Sequence, residues 1–132
     1  MSRVFVDTSA FLALLNPHDV AHKRARAAFE RLAAASEALT TTSYVLVETY
    51  ALIGRRLGSE AVRAFRESFA PLLEPIWVDE ALHEAGLDLL LSRKSRRLSL
   101  VDAVSFVAIR QRVVDRVFAY DAHFQRERFD LV

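Results

Sequence analysis

The sequence predicts an α/β fold in three layers, a central parallel sheet with helices on both faces. Short apolar runs of strand length alternate with longer segments of helical period, as βα units require. Two of the helical segments are apolar nearly all round, which places them against neighbours on most sides. At 132 residues and 52% hydrophobic content the chain fits one domain, residues 1–132, that buries roughly two-thirds of its unfolded surface.

The first strand is expected at residues 3–6, ending on Asp7. After His18, the residues Ala21, Ala25, Ala28, Phe29 and Leu32 recur at helical spacing, with Arg24, Arg26, Glu30 and Arg31 elsewhere on the wheel. A second strand is expected at 38–41, followed by an apolar helix at 44–53. Beyond Ser59, the residues Val62, Phe65, Phe69 and Leu72 line one helical face until Pro71 and Pro75 break it. A third strand at 75–78 leads to a helix at 81–93, with Leu82, Ala85, Gly86 and Leu89 inward. The second apolar helix spans 100–109, a fourth strand spans 117–120, and residues 129–132 are a fifth strand candidate. Three glycines, three prolines and no internal repeat leave no linker.

Composition narrows the chemistry. Without cysteine there is no disulfide framework and no thiolate zinc site, and the four histidines, His18, His22, His83 and His123, lack ligand-like spacing. The start of the chain lacks the features of a signal peptide, and each apolar run is far shorter than the roughly 20 residues that span a bilayer. A soluble cytoplasmic protein without a membrane partner is expected. Net charge is +1, so no overall field announces a nucleic acid, although all but Lys23 and Lys94 of the 18 basic residues are arginine. Arginine suits bidentate phosphate contacts and serves equally in surface ion pairs.

In parallel α/β sheets ligands sit at the carboxyl ends of strands. Asp7 and Asp121 each follow an apolar run, where an aspartate can also cap a helix. Glu48 lies inside Tyr44-Val45-Leu46-Val47-Glu48-Thr49-Tyr50-Ala51-Leu52, and a carboxylate buried there requires a cation, an arginine or a specific hydrogen bond. Asp102 stands three residues after Ser99 at the head of an apolar helix, a spacing that also suits a capping box. Gathered about 4 Å apart, each pair of carboxylates would repel by about 4 kcal/mol at an effective dielectric of about 20. A cation would relieve this, and an all-oxygen set suits Mg2+ or Mn2+ over Zn2+.

The order Val-Phe-Val-Asp7-Thr8-Ser9, then Ser-Tyr-Val-Leu-Val-Glu48-Thr, then Leu-Ser-Leu-Val-Asp102-Ala, then Ala-Tyr-Asp121-Ala-His-Phe resembles the PIN domain, the VapC-type toxins above all. The resemblance spans nearly the whole chain. It implies a sheet ordered 3-2-1-4-5 with an acidic site at the ends of strands 1 and 4, which makes Asp79, after an edge strand, a helix cap. It implies metal-assisted hydrolysis of RNA, with Asp7, Glu48 and Asp102 as direct or water-bridged ligands of Mg2+ or Mn2+ and Asp121 as a ligand or orienter. It also implies a homodimer and a cognate antitoxin protein. Thr8 or Ser9 supplies a hydroxyl or backbone contact in this reading, Ser99 is either a helix cap or a support for the acids, and His123, a candidate general base, is read as a packing or surface residue. Arg93-Lys94-Ser95-Arg96-Arg97 is either part of an RNA-holding rim or a solvated loop, while Arg55 and Arg56 complement the carboxyl end of their helix.

Two rival classes fit less well. A phosphoacceptor receiver needs adjacent acids after strand 1 and a lysine after a late strand, and a phosphatase of the Asp-x-Asp type would have an acid where Ser9 stands. A non-catalytic PIN-like binding module is the remaining alternative, and intact acids at all four positions speak against it.

Overall fold

Strand β1, Arg3–Val6, occupies the interior of the sheet, and its Val4, Phe5 and Val6 are at most 1% exposed. Such a run lacks the polar alternation of a half-solvated strand because both of its faces meet other layers. In the computed structural model, which describes residues 2–132, β1 pairs in parallel with β2 (Ala38–Thr42) on one side and β4 (Arg116–Phe118) on the other. Strand β3 (Leu73–Ile76) extends the sheet beyond β2, giving the order β3-β2-β1-β4. The expected fifth position is a single parallel bridge, Val117 to Leu131, flanked by the Val132 amide donating to the Val117 carbonyl at 2.9 Å.

Helices α1 (Thr8–Leu15), α2 (His22–Ala34), α3 (Ser43–Leu57), α5 (Glu80–Arg93), α6 (Leu100–Gln111) and α7 (Ala122–Arg126) flank this sheet. Between α3 and α5 lies a shorter helix, α4, at Ser59–Ala64. One aromatic group joins Phe11, Tyr50 and Phe65, with ring centroids 4.9 and 5.1 Å apart in edge-to-face contact. Another joins Phe5, Phe106 and Phe124. Helices α5 and α6 touch at Gly86, where an added Cβ would lie 3.2 Å from the Val104 Cα. Gly86→Ala is therefore expected to cost about 1–3 kcal/mol through overpacking, read as a lower denaturation midpoint with an unchanged slope.

Several expectations shift. Strand β3 is 73–76 instead of 75–78, which moves Pro75 from the start of the strand to its interior, tolerated because β3 pairs on one side only. Strand β4 stops at Phe118, short of residue 120, since the Tyr120 and Asp121 amides both donate to the Ser9 hydroxyl, at 2.9 and 3.3 Å. After Ala64 the chain widens into a π-helical turn, Phe65–Phe69, and tightens into a 3-10 turn, Ala70–Leu72. That change of pitch keeps Phe65 in the core and turns Leu72 outward, 54% exposed, so the predicted single face does not persist.

Helix α3 departs furthest from expectation. Only the stripe Val45, Thr49 and Ile53 is buried, and Val47 is 69% exposed. Glu48 is consequently half-buried at the edge of that stripe instead of enclosed. Helix α6 does match its prediction, with Asp102, Ala103, Val104, Ser105, Phe106, Ala108 and Ile109 buried.

Candidate active site

Each acid is placed by a junction between elements. Asp7 immediately follows β1 and caps α1, its Oδ2 accepting from the Ser9 amide at 3.1 Å and the Ser9 hydroxyl at 2.7 Å. Because Ser9 Oγ also accepts from the Tyr120 and Asp121 amides, one hydroxyl joins the end of β1 to the segment carrying Asp121. Asp121 caps α7, with Oδ1 accepting from the His123 amide at 2.9 Å. Asp102 enters through α6, whose cap Ser99 accepts the Asp102 amide at 3.1 Å.

Glu48 is fixed by its helix. Strand β2 passes directly into α3, where Thr42 caps by accepting the Val45 amide at 3.1 Å. One turn further, the Thr49 hydroxyl donates to the Val45 carbonyl at 2.7 Å and lies 2.9 Å from the Thr8 hydroxyl. These fully or nearly fully buried threonines tie α3 to α1 beside Asp7.

The four acids line one cleft of about 230 Å3, together with Thr8, Ser9, Leu12, Leu52, Arg56 and Ser99. The capping reading of Asp7 and Asp121 is correct as far as it goes, and it accounts for one oxygen of each. Asp7 Oδ1 remains buried with no hydrogen-bond partner. Burial pushes the Asp7 carboxyl up to about 7 against the two Ser9 hydrogen bonds, and the charges of Asp102 and Glu48 add to the rise. The Asp102 carboxyl is also raised, first by burial and then by Asp121, while His123 acts in the opposite direction. Among the described residues, however, no three such side chains close into a metal-sized cage. The four acids share the cleft as an open gathering and not as a closed set of ligands.

The orphaned, desolvated Asp7 oxygen beside two or three further carboxylates fits a hard divalent cation, which prefers oxygen donors and tolerates intervening water. None of the four acids forms an ion pair with an arginine among the described residues, so no guanidinium takes the place of a cation by direct pairing. Sequence reasoning missed Arg56, assigned to the end of its helix. It lines the cleft, and the signal was its spacing, since Glu48, Leu52 and Arg56 follow one another by four along α3. His123 lines a neighbouring groove, and Asp79 caps α5 through the Leu82 amide at 2.9 Å, outside this cleft.

A parallel sheet with carboxylates gathered beyond the carboxyl ends of β1 and β4 defines a class of α/β protein with an acidic crevice. The PIN domain family matches residues 4–129, and the chain belongs to that family. It is 33% identical over 129 residues to the 23S rRNA-specific endonuclease VapC20 of Mycobacterium tuberculosis, covering 96% of this chain and 95% of the relative. The crystal structure of M. tuberculosis VapC20, described as a sarcin-ricin loop cleaving toxin, matches with a TM-score of 0.80 at 32% identity, over 96% of this chain and 95% of that one. VapBC2 of Rickettsia felis, bound to a promoter DNA fragment, matches with a TM-score of 0.73 at 16% identity over 98% and 97% of the two chains, a likeness of fold.

Proposed function

We propose that this chain is a metal-dependent ribonuclease, the toxin of a toxin-antitoxin pair, in which Asp7, Glu48, Asp102 and Asp121 hold Mg2+ or Mn2+. The observation that carries the reading is Asp7 Oδ1, buried and unpartnered in a cleft with three other acids. A divalent cation bound there would lower the pKa of a water and neutralise charge on the scissile phosphate. Asp7 offers Oδ1 while Ser9 fixes Oδ2, so its carboxylate is oriented before any ligand arrives. Glu48 and Asp102 approach from α3 and α6, and Asp121 directs a nucleophilic water or completes the ligand set. Leu12 and Leu52 line the same cleft and lower its polarity, strengthening each of these interactions.

The sequence similarity to VapC20 supports RNA as the substrate, structured ribosomal RNA being the first to test. The similarity to VapBC2 supports a cognate antitoxin as partner. A homodimer and a cytoplasmic setting complete the proposal, and no helix among the described residues is long and apolar enough to cross a membrane. Purified protein stripped with a chelator should cleave ribosomal RNA only once Mg2+ or Mn2+ is restored. Cleavage undiminished in chelator, or none with either ion, would refute the proposal.

A further inference from the structure

A second concavity, about 210 Å3, adjoins the acidic cleft. Arg93, Arg97, Arg126 and His123 stand around a floor that includes buried Leu98 and Phe106. Two features connect groove and cleft: His123 lies two residues beyond Asp121 and influences the Asp102 carboxyl, and Leu98 of the groove precedes Ser99 of the cleft. The arginines come from segments distant in sequence, the end of α5 with its following loop and the end of α7.

Their charges are not equally available. Glu127, also lining the groove, engages Arg93 at 2.7 Å and Arg110 at 3.4 Å. Arg97 and Arg126 are exposed and form no ion pair among the described residues. Such guanidiniums, beside a negatively charged cleft and over an apolar floor, suit a phosphate oxygen on a chain whose neighbouring phosphate lies among the acids.

We infer that Arg97 and Arg126 form a subsite for a backbone phosphate of single-stranded RNA flanking the scissile bond, with Glu127 holding Arg93 at its margin. This deepens the ribonuclease reading and rests on it for the scissile bond, while RNA binding in the groove is measurable separately. An acidic peptide is the competing occupant, and the position of the groove next to a proposed phosphodiester site favours RNA.

The test compares wild type, the double variant Arg97→Gln/Arg126→Gln, and the equally charged control Arg66→Gln/Arg112→Gln, whose residues lie outside both cavities. Binding of a fluorescent single-stranded RNA oligonucleotide is measured in chelator across a salt series, where no cleavage occurs. The groove variant should bind roughly tenfold more weakly, as loss of charge-assisted hydrogen bonds predicts. Its slope of log affinity on log salt should shrink by about 0.7, the change expected for one phosphate contact on a single strand. With Mg2+ or Mn2+ it should show a raised KM and an unchanged kcat. The control should resemble wild type.

RNA binding unchanged in the groove variant, or weakened equally in the control, overturns the subsite and leaves the nuclease reading intact. So does a loss of polyglutamate binding without a loss of RNA binding. Wild type that binds RNA with the predicted dependence but never cleaves it sinks the nuclease reading while supporting the groove as an RNA site.

Discussion

Asp7→Asn should lose RNA cleavage by more than about 100-fold, beyond what outer-shell changes around a metal cost, and should nevertheless unfold at a higher temperature than metal-free wild type. Both effects come from one buried carboxylate. The Asp7 side chain is 3% exposed, with one oxygen satisfied by Ser9 and the other by nothing. Asparagine can preserve the cap to Ser9 while removing the charge, so the cost of ionising this site disappears along with its ligand capacity.

The pH dependence has a definite sign. The folded carboxyl titrates at about 7 against an ordinary value of 3.8, so between those limits the folded chain binds the additional proton. The stability this proton contributes is complete below about pH 3.8, declines as pH rises, and is gone above about pH 7. In chelator at pH 7–8 the variant should be more stable by on the order of 2–4 kcal/mol, at about 1.4 kcal/mol for each unit between the two pKa values. The difference in melting temperature between the two proteins should close as pH falls toward 4. A constant difference across that range would show that Asp7 does not carry the strain.

Mn2+ or Mg2+ should raise the melting temperature of wild type, because a ligand that binds only the folded state stabilises it by about 2.7 kcal/mol at a hundredfold excess over Kd. For a domain of this size each kcal/mol corresponds to roughly 2–8 °C. The shift should grow with pH through 7, since the cation competes with a proton for Asp7. Glu48→Gln and Asp102→Asn should each diminish it. A wild-type shift in Glu48→Gln would remove that residue from the ligand set, and its half-buried place on α3 makes it the informative one to test.

Much of the architecture was legible because local and tertiary signals agreed. Strand β1 is bounded as predicted: an uninterrupted apolar run ends at an aspartate that caps the next helix. Helix α6 was legible for the same reason, its apolar circumference matching its burial. Apolar character misled at α3, where Val47 and Ala51 face outward, so the enclosure expected of Glu48 did not follow from its neighbours. The early end of β4 was not readable because it depends on Ser9, more than a hundred residues away in sequence, accepting the Tyr120 and Asp121 amides.

The candidate site was legible as a set of residues and less so as a shape. Four acids at junctions of elements could be named from their positions after apolar runs or at helix heads, and they do share a cleft. The one oxygen left over by capping could not be seen, since that requires knowing that Ser9 bonds to Oδ2 alone. Arg56 was hidden by a competing explanation, the complementing of a helix end, that was reasonable for Arg55 as well. The groove beside the cleft combines residues 93–97 with Arg126, which no local pattern joins.

Anomalous diffraction from a crystal soaked in Mn2+ bears on the metal assignment without relying on turnover or folding. A manganese peak against Asp7 Oδ1, with Asp102 or Glu48 sharing it directly or through water, is the predicted result. A cleft that stays empty at saturating Mn2+ with Asp7 ionised, or a peak only at some other surface, would contradict it.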